Sequence, residues 1–205
     1  SLDARCQELI KRHARYVNQV APERLRDELC LVLTCPGAAD SLKLMDGLGI
    51  LEQLFPELAQ CKGVTQPKEH YWDVFGHSIE AVRWGEALLR RGVANGVDAI
   101  LTRVPWGSDL EEHFGEMVAG GHRRGLVFKL ACLFHDIGKP STKSIQSDGR
   151  MRFFGHSEIG AAMVGSLLGR LRFSKRVTKS VEKMVALHLR PGQLSQGEEL
   201  PTSRA

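Results

Sequence analysis

Aromatic residues are scarce: three Trp, two Tyr and eight Phe make up 6% of the 205 residues. That leaves no run of interleaved aromatics on which successive nucleic-acid bases could stack. A disulfide pattern is missing too. Cys6, Cys30, Cys35, Cys61 and Cys132 contain no CxxC pair. An odd, scattered set fits small core residues in a reducing cytoplasm better than a disulfide framework. No apolar run approaches the roughly 20 residues of a membrane span, and Ser1 leads straight into charged residues rather than an apolar targeting segment. Clean alternation of apolar and polar residues, the mark of a half-buried strand, is also lacking.

What is present is an ordinary globular balance, 42% hydrophobic and 25% charged. The net charge of +4 is unevenly spread. Residues 139–190 carry 11 Lys/Arg against 3 Asp/Glu, whereas residues 1–138 carry 16 against 19. One quarter of the chain is thus strongly basic. It suits either an acidic partner, such as a phosphate-bearing substrate or nucleic acid, or a solvated helix face.

The periodicity predicts an all-α fold. Leu9, His13, Tyr16, Val17 and Val20 keep helical spacing over 3–20. Pro22 opens a second helix with the stripe Leu25, Leu29, Val32, Leu33. Pro36-Gly37 breaks it, a third helix covers 37–46, a short fourth follows Gly49, and Pro56 is expected to end the block. Residues 60–75 read as a polar linker and 76–91 as a helix. The glycine-rich stretch 92–122 reads as a long loop with a short helix near 109–118. Helices are expected over 123–137, 156–170 and 174–189, with one small β-hairpin over 145–154 around the SDGR turn. From Gly192 the chain is expected to be a polar, frayed tail. The expected organisation is a helical bundle at 1–60, a second helical domain at 70–195, and a tail at 196–205.

Four of the eight histidines close or open a helix on its apolar face. His77 precedes Ala81, Trp84 and Leu88; His156 precedes Gly160, Met163 and Leu167. His135 closes Leu126, Leu130, Leu133, and His188 closes Val177, Val181, Val185. Each ring should point at the core. Burying four imidazoles and the carboxylate of Asp136 without partners is expensive. A shared divalent cation would be a common partner; neutral imidazole and carboxylate accept Mg, Mn, Fe, Co, Ni or Zn to differing degrees. Gly138 would let the chain turn away after the dyad without a Cβ penalty. Lys139 would stand beside the site, either on a phosphate oxygen or in solvent. A metal-bound hydroxide could attack phosphorus, while Lys139, Lys143, Arg150 and Arg152 hold the phosphate. These residues point to phosphoester hydrolysis at a helical metal site.

The order His77, His135-Asp136, His156, His188, with the phrase HDIGKP at 135–140, resembles the HD superfamily of metal-dependent phosphohydrolases. The resemblance implies His77, His135 and Asp136 as ligands of one divalent metal. It implies His156 and His188 as ligands of a second, with Asp136 bridging, and Asp136 and Lys139 as catalytic residues. The family pattern ends on a further aspartate, and no aspartate follows Asp148 here, so a fragment of a longer protein or a degraded site is expected. ERLRDELCLVLTCPGAADSLKLMDGLGILEQLFPEL (23–58) resembles the RNA-binding segment of bacterial tRNA CCA-adding enzymes and poly(A) polymerases. HYWDVFGHSIEAV (70–82), VAGGHRRGLVFKLACLFHDIGKP (118–140) and HLRPGQL (188–194) resemble the HD domain that follows it in some of them. The nucleotidyltransferase head, a Gly-Ser pair followed by spaced carboxylates, has no counterpart, so nucleotide addition by this chain alone is not expected. The resemblance implies tRNA or other RNA and nucleotide phosphoesters as partners in the cytoplasm, with Arg190 joining the phosphate-binding set. Lys11, Arg12, Arg15, Arg24 and Arg26 could touch RNA backbone. The resemblance leaves a second role open: a catalytically silent, tRNA-binding body of a CCA-adding enzyme.

Overall fold

Local signals start most of the helices. In the computed structural model, which describes residues 2–66, 71–90 and 105–195, the Asp3 carboxylate accepts the Cys6 N–H (2.8 Å) and caps α1, Ala4–His13. The helix expected over 3–20 does not continue as one. It tightens into a 3-10 segment, Ala14–Gln19, whose winding buries Ala14 against the backbone of Gly49. Pro22 does begin α2, Pro22–Thr34. Gly37, in the left-handed region at φ 76, turns the chain into α3, Ala38–Gly47. The start of α3 is capped from a distance: Gly37 and Ala38 N–H groups donate to the Glu86 carboxylate (2.8 and 2.9 Å). After α4, Ile50–Leu54, Pro56 opens rather than ends a helical turn, α5, Pro56–Ala59, because its missing N–H costs nothing at a first position.

The second half follows as α6 (Val74–Arg90), α7 (Ser108–Gly115), α8 (Arg124–Phe134), α9 (Lys139–Thr142), α10 (His156–Arg170), α11 (Lys175–Leu187) and α12 (Arg190–Ser195). The fold is all-α, with two small antiparallel hairpins among the described residues. The expected one pairs β3, Lys143–Ile145, with β4, Met151–Phe153, in the register Lys143↔Phe153 and Ile145↔Met151. The other was hidden in the glycine-rich stretch: β1 (Met117–Ala119) returns as β2 (His122–Arg123). Gly120 and Gly121, at φ 60 and 81, form the turn. Its strands are too short to show alternation. Gly192 does not begin a frayed tail, since α12 runs through it, with Pro191 in the first turn. The expected tail 196–205 and the loop residues 92–104 lie outside the described residues.

α6 packs on α8, α11 on α8, and α10 on α11, and α3 seals the other side of α6. One apolar cluster runs from Leu33, Leu42 and Phe55 to Leu133, Val164 and Val181, so the segments 1–60 and 70–195 share a core. Phe55 meets Phe134 edge-on at 5.2 Å. Buried Lys129 of α8 donates to the Leu33 carbonyl (2.6 Å), and Arg170 of α10 pairs with Glu57 (2.8 Å). The C-terminal end of α8 is thereby fixed at the centre of the molecule. No helix of the described residues is long and apolar enough to cross a membrane.

Candidate metal centre

The four end-of-helix histidines converge. His77 lies in the first turn of α6, whose start is capped by Asp73: the Gly76 N–H donates to Oδ1 (2.7 Å), while Oδ2 accepts from the Gly63 N–H (2.7 Å). His135 follows the last residue of α8, His156 is the first residue of α10, and His188 follows the last residue of α11. Asp136, 1% exposed, sits between them. Its Oδ2 is 3.5 Å from His77 Nε2 and 3.1 Å from His135 Nε2. Its Oδ1 is 3.4 Å from His156 Nε2 and 3.5 Å from His188 Nε2. Within each histidine pair the Nε2 atoms are 3.1 Å (His77, His135) and 3.3 Å (His156, His188) apart. Two groups result, His77-His135-Asp136 and Asp136-His156-His188, and each could hold a metal ion.

The protonation chemistry of the donors can be read from their far sides. His135 Nδ1 lies 2.9 Å from the Cys132 carbonyl, His156 Nδ1 2.7 Å from that of Phe153, and His188 Nδ1 2.7 Å from that of Val185. A carbonyl only accepts, so each Nδ1 carries the proton, and a neutral ring then presents a bare lone pair at Nε2. In the second group two such lone pairs face each other and the carboxylate. Asp136 Oδ1 is buried without a hydrogen-bond partner. A cation would satisfy this set. Ligands held about 2.0–2.1 Å from one ion lie roughly 2.8–3.4 Å from each other at octahedral or tetrahedral angles; the observed spacings of 3.1–3.5 Å sit at the upper end of that range, with the His77 and His188 distances to Asp136 just beyond it. Burial pushes the Asp136 carboxyl up; without a cation, protons on the Nε2 atoms of His135, His156 and His188 would have to donate to it to hold it far below the ordinary carboxylate range, and a bound ion would take their place.

Gly138 serves the site differently from the sequence expectation. Its φ of −80 suits any residue, so no left-handed turn requires a glycine. The requirement is close approach: a Cβ there would overlap the His156 carbonyl oxygen and stand 2.7 Å from Gly160 N. Gly138 lets the segment carrying Asp136 lie directly on the start of α10, which carries His156. The left-handed glycine is Gly155, at φ 73.

The basic residues separate. Lys139 is buried at the centre, where its ammonium donates to Asp136 Oδ2 and to Gln66 Oε1, each at 2.7 Å, and lies 5.5 Å from the centre of the Phe153 ring. Lys143 donates to Thr65 Oγ1 (3.1 Å). Arg150 is at the hairpin turn beside Asp148 (3.5 Å), and Arg152 and Arg190 are exposed. Gln66 and Thr65 went unnoticed in a stretch that reads as linker; no motif marks them. Of the N-terminal cations, Lys11, Arg12 and Arg24 are exposed and Arg15 stacks on Tyr16 (4.9 Å). Arg26 is tied to Asp27 (2.8 Å) and to the Arg172 carbonyl (2.9 Å).

Residues 1–62 match the family model for the probable RNA- and SrmB-binding site of polymerase A, and residues 108–204 match the HD domain. The chain is an HD domain joined to a poly(A)-polymerase-type RNA-binding segment. It is 31% identical over 199 residues to the CC-adding tRNA nucleotidyltransferase of Thermus thermophilus, covering 92% of this chain and 37% of that protein. It is 32% identical over 168 residues to the A-adding tRNA nucleotidyltransferase of Deinococcus radiodurans, covering 82% and 31%. A bifunctional uridylyltransferase/uridylyl-removing enzyme of Xanthomonas axonopodis is 28% identical over 185 residues, covering 89% and 18%. The chain spans about a third of the length of the two tRNA nucleotidyltransferases. The HD model starts at residue 108, so His77 comes from helix α6, ahead of the matched region, and joins the first ligand group by packing α6 on α8.

Proposed function

We propose that this HD domain is a metal-dependent phosphohydrolase acting on nucleotide or tRNA phosphoesters in the cytoplasm. The observation that carries the reading is the convergence of four imidazole Nε2 atoms on both oxygens of one buried carboxylate. His77, His135 and Asp136 would hold one divalent ion, and Asp136, His156 and His188 a second. A bound ion would supply a hydroxide at neutral pH and polarise the phosphoryl group. The chain's own residues do the positioning. The carbonyls of Cys132, Phe153 and Val185 accept from Nδ1–H and so hold three neutral imidazoles with the Nε2 lone pair turned to the site. Lys139 keeps Asp136 ionised and oriented, and Gln66 orients Lys139. Lys143, Arg150, Arg152 and Arg190 are the further cations assigned to phosphate. The uridylyl-removing relative lends support, because its name describes removal of a nucleotidyl group. The poly(A)-polymerase-type segment and the two tRNA nucleotidyltransferase relatives support tRNA or another RNA as partner.

A second reading, a catalytically silent tRNA-binding body, is supported by the poly(A)-polymerase-type RNA-binding segment and by the two tRNA nucleotidyltransferase relatives. Metal analysis of the purified chain together with hydrolysis of a generic phosphodiester separates the two. Asp136→Ala should remove both metal and activity. Full activity in that variant would sink the hydrolase assignment, and tRNA binding by a chain that retains no metal would favour the silent body.

A further inference from the structure

A cavity of about 890 Å³ opens on the His135 and His188 side of the centre. Its inner wall is apolar. Phe114 of α7 and Phe128 of α8 contribute rings 5.5 Å apart and tilted by 53°, with Val127, Ala131 and Met184 around them. Its charged side chains, among the described residues, have one sign. Arg124, Arg176 and Lys183 line it, and among the described residues no Asp or Glu does. Arg124 is held by Glu116 (2.7 Å). Arg176 and Lys183 are exposed and have no ion-pair partner among the described residues. Arg176, Ser180, Lys183 and Leu187 recur at intervals of four, three and four along α11, one helix face leading to His188. None of the cations first assigned to phosphate lines this cavity; Lys139 and Lys143 are tied to Gln66 and Thr65 instead.

We propose that this cavity is the recognition subsite for one nucleotide unit. The base lies against Phe114, Phe128 and Met184, and the phosphate lies between Arg176, Lys183 and the His135-His188 end. The proposal rests on the phosphoester reading above and names what that site selects. A planar base with an apolar π-face suits the aromatic wall, and a dianionic phosphate suits a mouth with unpaired cations and no carboxylate. The volume lies within the range of small-molecule pockets and admits a nucleotide. The unit could be a free mononucleotide or the last residue of an RNA strand; the chemistry at the wall is the same.

The test is binding to the full chain in excess chelator, so that neither metal nor turnover contributes. AMP, ribose 5-phosphate, inorganic phosphate and a short single-stranded oligoribonucleotide are compared by calorimetry. AMP should bind about tenfold more tightly than ribose 5-phosphate, reflecting one stacked base. The double variant Arg176→Glu/Lys183→Glu, both positions exposed, should weaken AMP and ribose 5-phosphate alike by about tenfold without changing the melting temperature. Phe128→Leu should weaken AMP alone. Equal binding of AMP and ribose 5-phosphate, or full AMP binding by the charge-reversed variant, overturns the subsite. Tighter binding of the oligonucleotide than of AMP assigns the unit to an RNA end, and the reverse order to a free nucleotide; either supports the proposal. Retained AMP selectivity in a metal-loaded chain that hydrolyses nothing would remove the hydrolase reading and leave the subsite standing.

Discussion

Replacing Gly138 with Ala should damage the centre without touching a ligand. Its backbone, at φ −80, accepts alanine, so any effect must come from contact. The new Cβ would lie 2.7 Å from Gly160 N and 3.1 Å from Gly160 Cα, and would overlap the His156 carbonyl oxygen. All three neighbours are backbone atoms of α10, so no side chain can swing aside. Ordinary contact starts at 3.4 Å, so the start of α10 must retreat by about 0.7 Å at Gly160. Overpacking of this kind costs about 1–3 kcal/mol, which for a chain of this size lowers the melting temperature by roughly 2–12 °C. The retreat also carries His156 away from Asp136 Oδ1, now 3.4 Å apart, so divalent-metal affinity should fall more than stability does. Thermal unfolding and metal titration of the same preparation measure both. Gly149→Ala is the control: φ is 75 and nothing lies within 4 Å, so it should show only left-handed strain of about 1 kcal/mol and unchanged metal affinity. A Gly138→Ala protein that melts with the parent and binds metal equally well would refute the close-approach account.

Lys139→Met should cost the metal-free protein about 3–5 kcal/mol, because it leaves the buried carboxylate of Asp136 without its ammonium; saturating divalent metal should recover part of that loss in denaturant titrations, and an unaffected midpoint would count against the pairing. Phe55→Ala should cost about 3–5 kcal/mol while unfolding remains a single transition, since Phe55 packs on Phe134 across the two segments. Two separated calorimetric transitions would contradict a shared core. Burial pushes the Cys30 thiol up to about 11 and that of Cys61 to about 12, against 9.0 when exposed. The stability that these protonated thiols contribute is complete below pH 9 and is lost as pH rises from 9 towards 12, because the unfolded chain ionises first. Denaturation midpoints should fall across that window, and native alkylation at pH 8 should label exposed Cys35 while sparing Cys30 and Cys61; a flat profile to pH 11 would contradict this.

Much of the centre was legible before the fold was seen, and the reason is local. His135 and His188 each point Nδ1 at the carbonyl three residues earlier, a relation fixed by helix-end geometry, and His156, at a helix start, does the same to Phe153 of β4, so their positions at the ends of apolar stripes already told how they would face. Helix periodicity likewise placed α6, α8, α10 and α11 to within a few residues. The signals that misled were also short-range. Pro56 and Gly192 read as breaks, yet each stands where a first helical turn tolerates it. The Gly120-Gly121 turn reads as loop because the strands beside it are two and three residues long.

The sequence by itself therefore determined which side chains could meet: the all-α class, the four inward histidines and the dyad beside them, because steric and hydrogen-bonding rules over three or four residues decide these. Only the tertiary structure decided that they do meet. The 3.1 Å approach of His77 to His135 spans 58 positions. Gln66 reaches Lys139 across 73, and Glu86 caps α3 from 48 and 49 residues away. Gly138 is required by a helix that begins 18 residues later. Such distances are set by how apolar faces pack against one another, and packing depends on the whole set of side chains at once rather than on any stretch of the chain.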